Sequence, residues 1–216
     1  MKRSIAFAFI LASAAVLFAQ DISLPAPAKK SGVDLFAAIA NRSIAKTFVK
    51  KEVSPQDLST VLWAGLGLRP VDAVSSATKA GRTVSFSGDN PYINVYVLTD
   101  KGAWKYLPET NKLEARSSKD VRAETSSGVV PAAAFMIVFT VDNALMPAFL
   151  KSNPAVFQQM AHATAGFAAQ NIALTASALK MATVIKYTMS AQGATVALKL
   201  SKEEAPLFTL QAGYSE

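Results

Sequence analysis

Four stretches of the chain carry the apolar patterns of β-strands. Residues 92–99 alternate between apolar and polar positions and are rich in β-branched and aromatic side chains. Residues 132–141 form a nearly continuous apolar run of strand length, which is typical of a strand covered on both faces. Residues 182–189 and 205–213 predict two further strands near the C-terminus.

Helical patterns alternate with these strands. Apolar residues recur at helical spacing over residues 33–39. A second helix is predicted to begin after Ser54, which is followed by Pro55 at the first helical position and by Asp57 as its capping-box partner. Residues 153–181 form the longest helical candidate. The interleaved elements predict an α+β fold in which helices flank a central mixed or antiparallel sheet.

The first residues have the three-part pattern of a secretory signal peptide. Two basic residues precede an apolar run at residues 5–18, and the small residue Ala19 follows it. We expect cleavage after Ala19, with retention as an N-terminal anchor as the alternative. The proline- and lysine-containing residues 20–31 are predicted to be a flexible linker, and residues 32–216 one domain. The mature protein is then periplasmic or secreted and has no membrane span.

Composition narrows the possible chemistry. The net charge of +7 is spread along the chain, which indicates a solvated surface rather than a nucleic-acid interface. The chain has no cysteine, so a hydrophobic core must stabilise it without disulfides. Because His162 is the single histidine, thiolate and histidine-rich metal sites are excluded, and we predict no metal.

A collinear series of short stretches extends from about residue 33 to the C-terminus. It comprises NRSIAKTF, VSPQDLSTVLWAGLGL, GRTVSFSGDNPYINVYVL, GAWKYLPETNKLE, KDVR, AGFAAQNIALTASALKM and EEAPLFTLQAGY. In this order and spacing the stretches resemble the nitroreductase family of flavoproteins, most closely its SagB-type branch, which is related to azoline dehydrogenases. The resemblance implies an α+β fold that forms a homodimer, with FMN at the interface between the two subunits.

The resemblance implies a phosphate site in the first stretch. Arg42, Ser43 and Lys46 belong to the string with which the family holds the FMN phosphate and the pyrimidine edge of the ring. If Phe48 is held in register, Arg42 and Lys46 fall on the two basic positions and Ile44 takes the place of the serine. If Ser43 is held instead, Lys46 is displaced by one position. A guanidinium can bind two phosphate oxygens at once, and a lysine adds positive charge beside the reduced flavin. The alternative is that Arg42 and Lys46 are solvated residues at the end of a helix.

Two further stretches are implied to contact the flavin ring. Ser85, Phe86 and Ser87 occupy the family's serine stretch, without the proline that precedes it in the family. Asn90 is a candidate ring contact directly before Pro91, although counting back from that proline puts Gly88 at the family's asparagine position. The alternative is a turn that enters a strand.

In AGFAAQNIALTASALKM, Gly166 permits close approach, and Gln170 and Asn171 supply amides near the start of the interface helix. The alternative is that this amide pair caps or bridges helices inside the core. His162 lies one turn before Gly166 and is a weaker candidate for protonating a substrate, because a lone histidine is more often structural.

These residues favour an exported FMN-dependent oxidoreductase acting on a small organic or peptide-derived substrate. Its electron donor and catalytic residues are not identified by the sequence. No basic residue follows Lys202, so phosphate binding would rest on Arg42, Lys46 and Arg82. The alternative is a flavin-less binding or structural dimer of the same fold, in which Phe86 and Met181 fill the position of the ring.

Overall fold

A seven-stranded antiparallel sheet forms the centre of the protein. The computed structural model describes residues 19–69, 81–88, 90–126 and 128–215, so the signal peptide predicted for residues 1–19 lies almost entirely outside the described residues. The strands are β1 Ile22–Ser23, β2 Ile93–Thr99, β3 Gly102–Leu107, β4 Lys112–Ser117, β5 Phe135–Asp142, β6 Ala182–Lys186 and β7 Glu204–Gly213. Their spatial order is β1-β4-β3-β2-β5-β7-β6.

Five α-helices of the described residues flank the sheet. They are α1 Leu35–Asn41, α2 Pro55–Leu66, α3 Arg122–Thr125, α4 Pro154–Ala178 and α5 Ala191–Leu198. Ser54 caps α2 as predicted, since its hydroxyl accepts a hydrogen bond from the Asp57 backbone N–H at 3.0 Å. Among the helices of the described residues, none has both the length and the apolar character needed to cross a bilayer.

The sheet is covered on both faces, which confirms the α+β fold and the prediction for the central strand. Helices α2 and α4 pack with one face of β5, which presents Phe135, Ile137 and Phe139. The other face presents Met136 and Val138 toward the cluster that contains residues of α5. All five are fully buried, because β5 lies between β2 and β7 in the middle of the sheet.

Helices α2 and α4 pack unusually close together. A Cβ atom built at Gly65 of α2 would lie 2.6 Å from the Cδ1 atom of Ile172 in α4. Glycine is therefore needed at this crossing unless the Ile172 side chain moves. The contact matters for the site because it fixes the end of α2 against the middle of α4.

Residues 20–31, predicted as a linker, run as an extended segment against the domain, and we call them the N-terminal strap. The strap begins with β1, which adds an edge strand beside β4. Further along, the Pro25 carbonyl accepts hydrogen bonds from the Ser59 hydroxyl at 2.6 Å and from the Asn111 amide at 2.8 Å. The strap is thus tied both to the sheet edge and to α2.

Candidate functional site

The candidate phosphate-binding string follows α1 along the edge of the sheet. Arg42 is the C-terminal cap of α1 and is extended, so the helix ends there as predicted. The Ser43 carbonyl accepts a hydrogen bond from the Thr183 backbone N–H at 3.4 Å, and Ile44 forms a parallel bridge with Thr183 of β6. The edge strand β6 therefore holds the backbone of this string in place.

The side chains of this string make a positive surface. Arg42 is half-buried, whereas Ser43 and Lys46 are exposed. Within the described residues, neither Arg42 nor Lys46 forms an ion pair with a carboxylate. Their charges remain open to an anion from outside the chain, and the donor set of guanidinium, hydroxyl and ammonium suits a phosphate.

The serine stretch lies beside the N-terminal half of α4. Ser85 and Asn90 are exposed, and Ser87 is half-buried. Phe86 is half-buried and packs edge-to-face on Tyr92, with 5.2 Å between ring centroids. Phe86 therefore belongs to the margin of the core, and the polar side chains around it face outward.

A close turn shapes this stretch. Gly88 has a φ of +94°, which favours glycine, and a Cβ atom there would lie 2.8 Å from the Cγ atom of Pro147. The turn thus packs against the segment that leads from β5 into α4. This observation fits the turn that was the alternative interpretation of the serine stretch, and it leaves the serine hydroxyls on the outside.

The amide pair does not lie at the start of its helix. Helix α4 begins at Pro154, so Gln170 and Asn171 lie in its fifth turn, where backbone N–H groups are already used by the helix. The expectation of exposed N–H groups near Gly166 was wrong. A glycine followed by two amides resembles a helix start, but the surrounding alanines continue the helix through it.

Asn171 joins three parts of the chain. Its side-chain amide donates to the Ala64 carbonyl at 3.2 Å and to the Thr83 carbonyl at 3.3 Å. Ala64 lies in the last turn of α2, where carbonyls have no partner inside the helix. Asn171 therefore bridges helices inside the protein, as the alternative interpretation stated, whereas Gln170 is exposed.

Arg82 does not take part in the phosphate site. Its guanidinium is buried, pairs with the Glu109 carboxylate and donates to the Leu66 carbonyl at 3.3 Å. The charge is thus already engaged at the end of α2, and the expectation that Arg82 contributes to phosphate binding was wrong. Burial raises the pKa of the neighbouring Tyr106 to about 12, against the opposing positive charge of Arg82.

The structure also locates His162 and Met181. His162 is exposed on α4, and its Nδ1 atom lies 2.8 Å from the Gln158 carbonyl one turn earlier. Such a contact assigns the proton to Nδ1, which donates it to the carbonyl. Met181 is buried in the core cluster. Within the described residues, no group of three or more acidic or histidine side chains could hold a metal.

The phosphate string and the serine stretch lie beside neighbouring parts of α4. The Ser177 hydroxyl donates to the Ala38 carbonyl at 2.9 Å, so α1 lies at the C-terminal end of α4. Thr83, two residues before the serine stretch, accepts a hydrogen bond from Asn171, which lies six residues before Ser177, or roughly 9 Å along the helix. From there the stretch runs toward the N-terminal half of α4, where Tyr92 contacts the helix.

The sequence of residues 39–214 matches the profile of the Nitroreductase family. The chain belongs to this family. Its members are oxidoreductases, and the antiparallel sheet flanked by helices is the family's fold. The family resemblance found in the sequence is therefore confirmed at this level. A sequence search among curated proteins finds no match.

Solved structures show the same fold. A candidate nitroreductase of Ralstonia eutropha JMP134 superposes with a TM-score of 0.79 at 23% identity, covering 91% of this chain and 90% of its own. Another candidate nitroreductase, from Anabaena variabilis ATCC 29413, superposes with a TM-score of 0.68 at 19% identity. The match covers 91% of this chain and 42% of that longer chain. NADPH:FMN oxidoreductase of Vibrio harveyi, complexed with NAD+, gives 0.57 at 18% identity, covering 84% and 69%.

Proposed function

We propose that this nitroreductase-family protein is an exported FMN-dependent oxidoreductase of the SagB-type branch that works as a homodimer. Its substrate is a small organic or peptide-derived molecule. The observation that carries the proposal is the string of Arg42, Ser43 and Lys46. Two cations and a hydroxyl lie within five residues of a backbone that is fixed by the sheet edge, without a described carboxylate to neutralise them. Export rests on the apolar run at residues 5–18.

The residues present fit the phosphate end of FMN better than they fit its ring. The phosphate end has a guanidinium and an ammonium four residues apart in the chain, which is the chemistry that phosphate requires. For the ring, Ser85, Ser87, Asn90 and Gln170 offer outward-facing polar groups. Asn171 uses its amide within the protein, so we remove it from the set of ring contacts.

An unpartnered apolar surface supports the homodimer. In α1 and the string after it, Phe36 is 82% exposed and Ile44 is 69% exposed. On α4, Phe167 is 53% exposed, although it lies in the middle of the helix. Large apolar side chains exposed to this degree favour burial against a second protein surface.

In this proposal the protein binds and orients, and the cofactor supplies the redox chemistry. FMN, when bound, accepts electrons from a donor and passes them to a second substrate. Arg42 and Ser43 bind the phosphate oxygens, and Lys46 adds positive charge nearby. Gly166 leaves the surface of α4 open, since a Cβ atom there would meet nothing within 4 Å. Gln170 offers an uncharged amide donor one turn further along the same helix.

A second candidate function is a binding or structural dimer that holds no flavin. Two observations favour it. Arg82 is engaged by Glu109, and the Asn171 amide is used within the protein. Its further expectation, that Phe86 and Met181 fill the ring position, is not supported for Met181, which is buried in the core. Phe86 packs on Tyr92 at the margin of that core.

The experiment that tests the proposal is FMN binding by Arg42→Ala. Loss of a charge-assisted hydrogen bond should weaken binding by about 1.5–3 kcal/mol, measured by fluorescence titration, with little change in thermal stability without flavin. Lys50→Ala, an exposed cation outside the string, is the matched control and should bind FMN normally. Equal affinities of the two variants would place the phosphate site elsewhere. Sedimentation of a stable monomer at micromolar concentration would refute the homodimer.

A further inference from the structure

A groove of about 280 Å³ lies between the N-terminal strap, the start of α1, α2 and the C-terminal part of α4. Its wall on the helix side is apolar and includes Trp63, Leu174 and Leu179. The opposite wall is the strap at residues 28–31. None of the candidate flavin residues lines this groove, so it is a separate feature of the molecule.

Hydrogen bonds hold the groove in shape. The Ala28 backbone N–H donates to the Thr60 hydroxyl of α2 at 3.0 Å, which fixes the strap wall. The Trp63 indole N–H donates to the Leu68 carbonyl at 2.8 Å, which fixes the orientation of the ring. A binding site whose walls are already ordered loses little conformational entropy when a ligand enters.

The mouth of the groove is positively charged. The Lys29 ammonium lies 5.7 Å from the centroid of the Trp63 ring, where a cation–π contact keeps it at the edge of the apolar wall. Lys30 lines the groove beside it. Within the described residues neither lysine is paired with a carboxylate. Asp34 also lines the groove, but its carboxylate caps α1 by accepting from the Ala37 N–H at 3.0 Å.

We propose that this groove binds a small amphipathic anion, an aromatic carboxylate in particular. The aromatic part would pack against Trp63, Leu174 and Leu179, and the carboxylate would bind the ammonium groups of Lys29 and Lys30. Apolar side chains on the helix side and two lysines on the strap match this division of the ligand, and together with Asp34 the charged groups that line the groove sum to +1. The volume lies near the lower end of the usual range for small-molecule sites, so the ligand is small.

The test compares 2-naphthoate with its neutral counterpart 2-naphthamide by isothermal titration calorimetry. We expect saturable binding of the carboxylate and weaker binding of the amide. The double variant K29Q/K30Q should bind the carboxylate about fivefold to tenfold more weakly, because exposed charges contribute modestly, and should bind the amide unchanged. The matched control K50Q/K51Q also removes a lysine that lies over an aromatic ring, Tyr214, and should leave both affinities unchanged.

A third variant tests the location independently of charge. Leu174→Trp should fill the groove and abolish binding of both compounds, while its circular dichroism and its unfolding transition show that it is folded. The proposal is overturned if naphthoate does not bind, if naphthamide binds as tightly, or if K29Q/K30Q matches K50Q/K51Q. It is also overturned if a second copy of the chain covers the groove. In that case the protein would bind neither compound, and Leu174→Trp would dissociate the dimer.

Discussion

Replacing Asn171 with alanine separates a structural role from a flavin contact. The change removes the two hydrogen bonds, of 3.2 and 3.3 Å, that join α4 to the Ala64 and Thr83 carbonyls. Each is a neutral hydrogen bond at the long end of the normal range, and the side chain is half-buried. We therefore expect a loss of about 1–2 kcal/mol in the free energy of unfolding. For a domain of this size that is roughly 2–8 °C in Tm.

The assay is urea unfolding of the flavin-free protein, followed by circular dichroism. The adjacent Gln170→Ala variant is the control, because Gln170 is exposed and should change stability by less than about 0.5 kcal/mol. The structural role predicts that Asn171→Ala is clearly less stable than Gln170→Ala. Equal stability of the two variants, with flavin affinity lost only in Asn171→Ala, would refute the reasoning and restore the flavin contact.

Two further predictions concern stability, and the first of them also concerns flavin binding. Gly166→Ala should stabilise the flavin-free protein by about 1 kcal/mol, because alanine is the better helix former and its methyl group would have no other atom within 4 Å. The same change should weaken FMN binding if the ring lies on this face of α4. Unfolding and flavin titration of this variant measure both effects, and lower stability would contradict the first. Burial raises the pKa of Tyr106 to about 12, so the folded protein favours the neutral phenol. Its contribution to the free energy of unfolding is therefore complete below about pH 10 and is lost as pH rises through 12. The free energy of unfolding of Tyr106→Phe, measured with urea, should therefore fall less over this pH range than that of the wild type. Identical pH profiles of the two proteins would contradict this prediction.

The fold was largely predictable because its strongest signals are local. The apolar run over residues 132–141 predicts a strand covered on both faces, and β5 has that position. The β3–β4 hairpin at residues 102–117 was not identified as strands. Its strand β4 has three charged residues and one buried position, and β3, although four of its residues are buried, is only six residues long. A signal was present in its turn, where Asn111 adopts a φ of +50°, a conformation that asparagine tolerates well.

The site was less predictable because its decisive contacts join residues far apart in the sequence. The carbonyl partners of Asn171 lie 107 and 88 residues away, so no local pattern reveals that its amide is used. The same holds for Arg82 and Glu109, which are 27 residues apart. The composition of residues 20–31 predicts a linker, yet hydrogen bonds to α2 hold this strap against the domain. The local signal that did locate a candidate was the cation spacing of Arg42 and Lys46.

FMN titration of the mature chain, followed by flavin absorbance, tests the central claim most directly. The account predicts a saturable spectral shift that ends at one flavin per chain, since each of the two symmetric interface sites would use one Arg42–Lys46 string. Binding should be absent from a monomeric form, because the proposed site lies between two subunits. Absence of any spectral shift at tens of micromolar FMN would contradict the account and leave the flavin-less binding protein as the function.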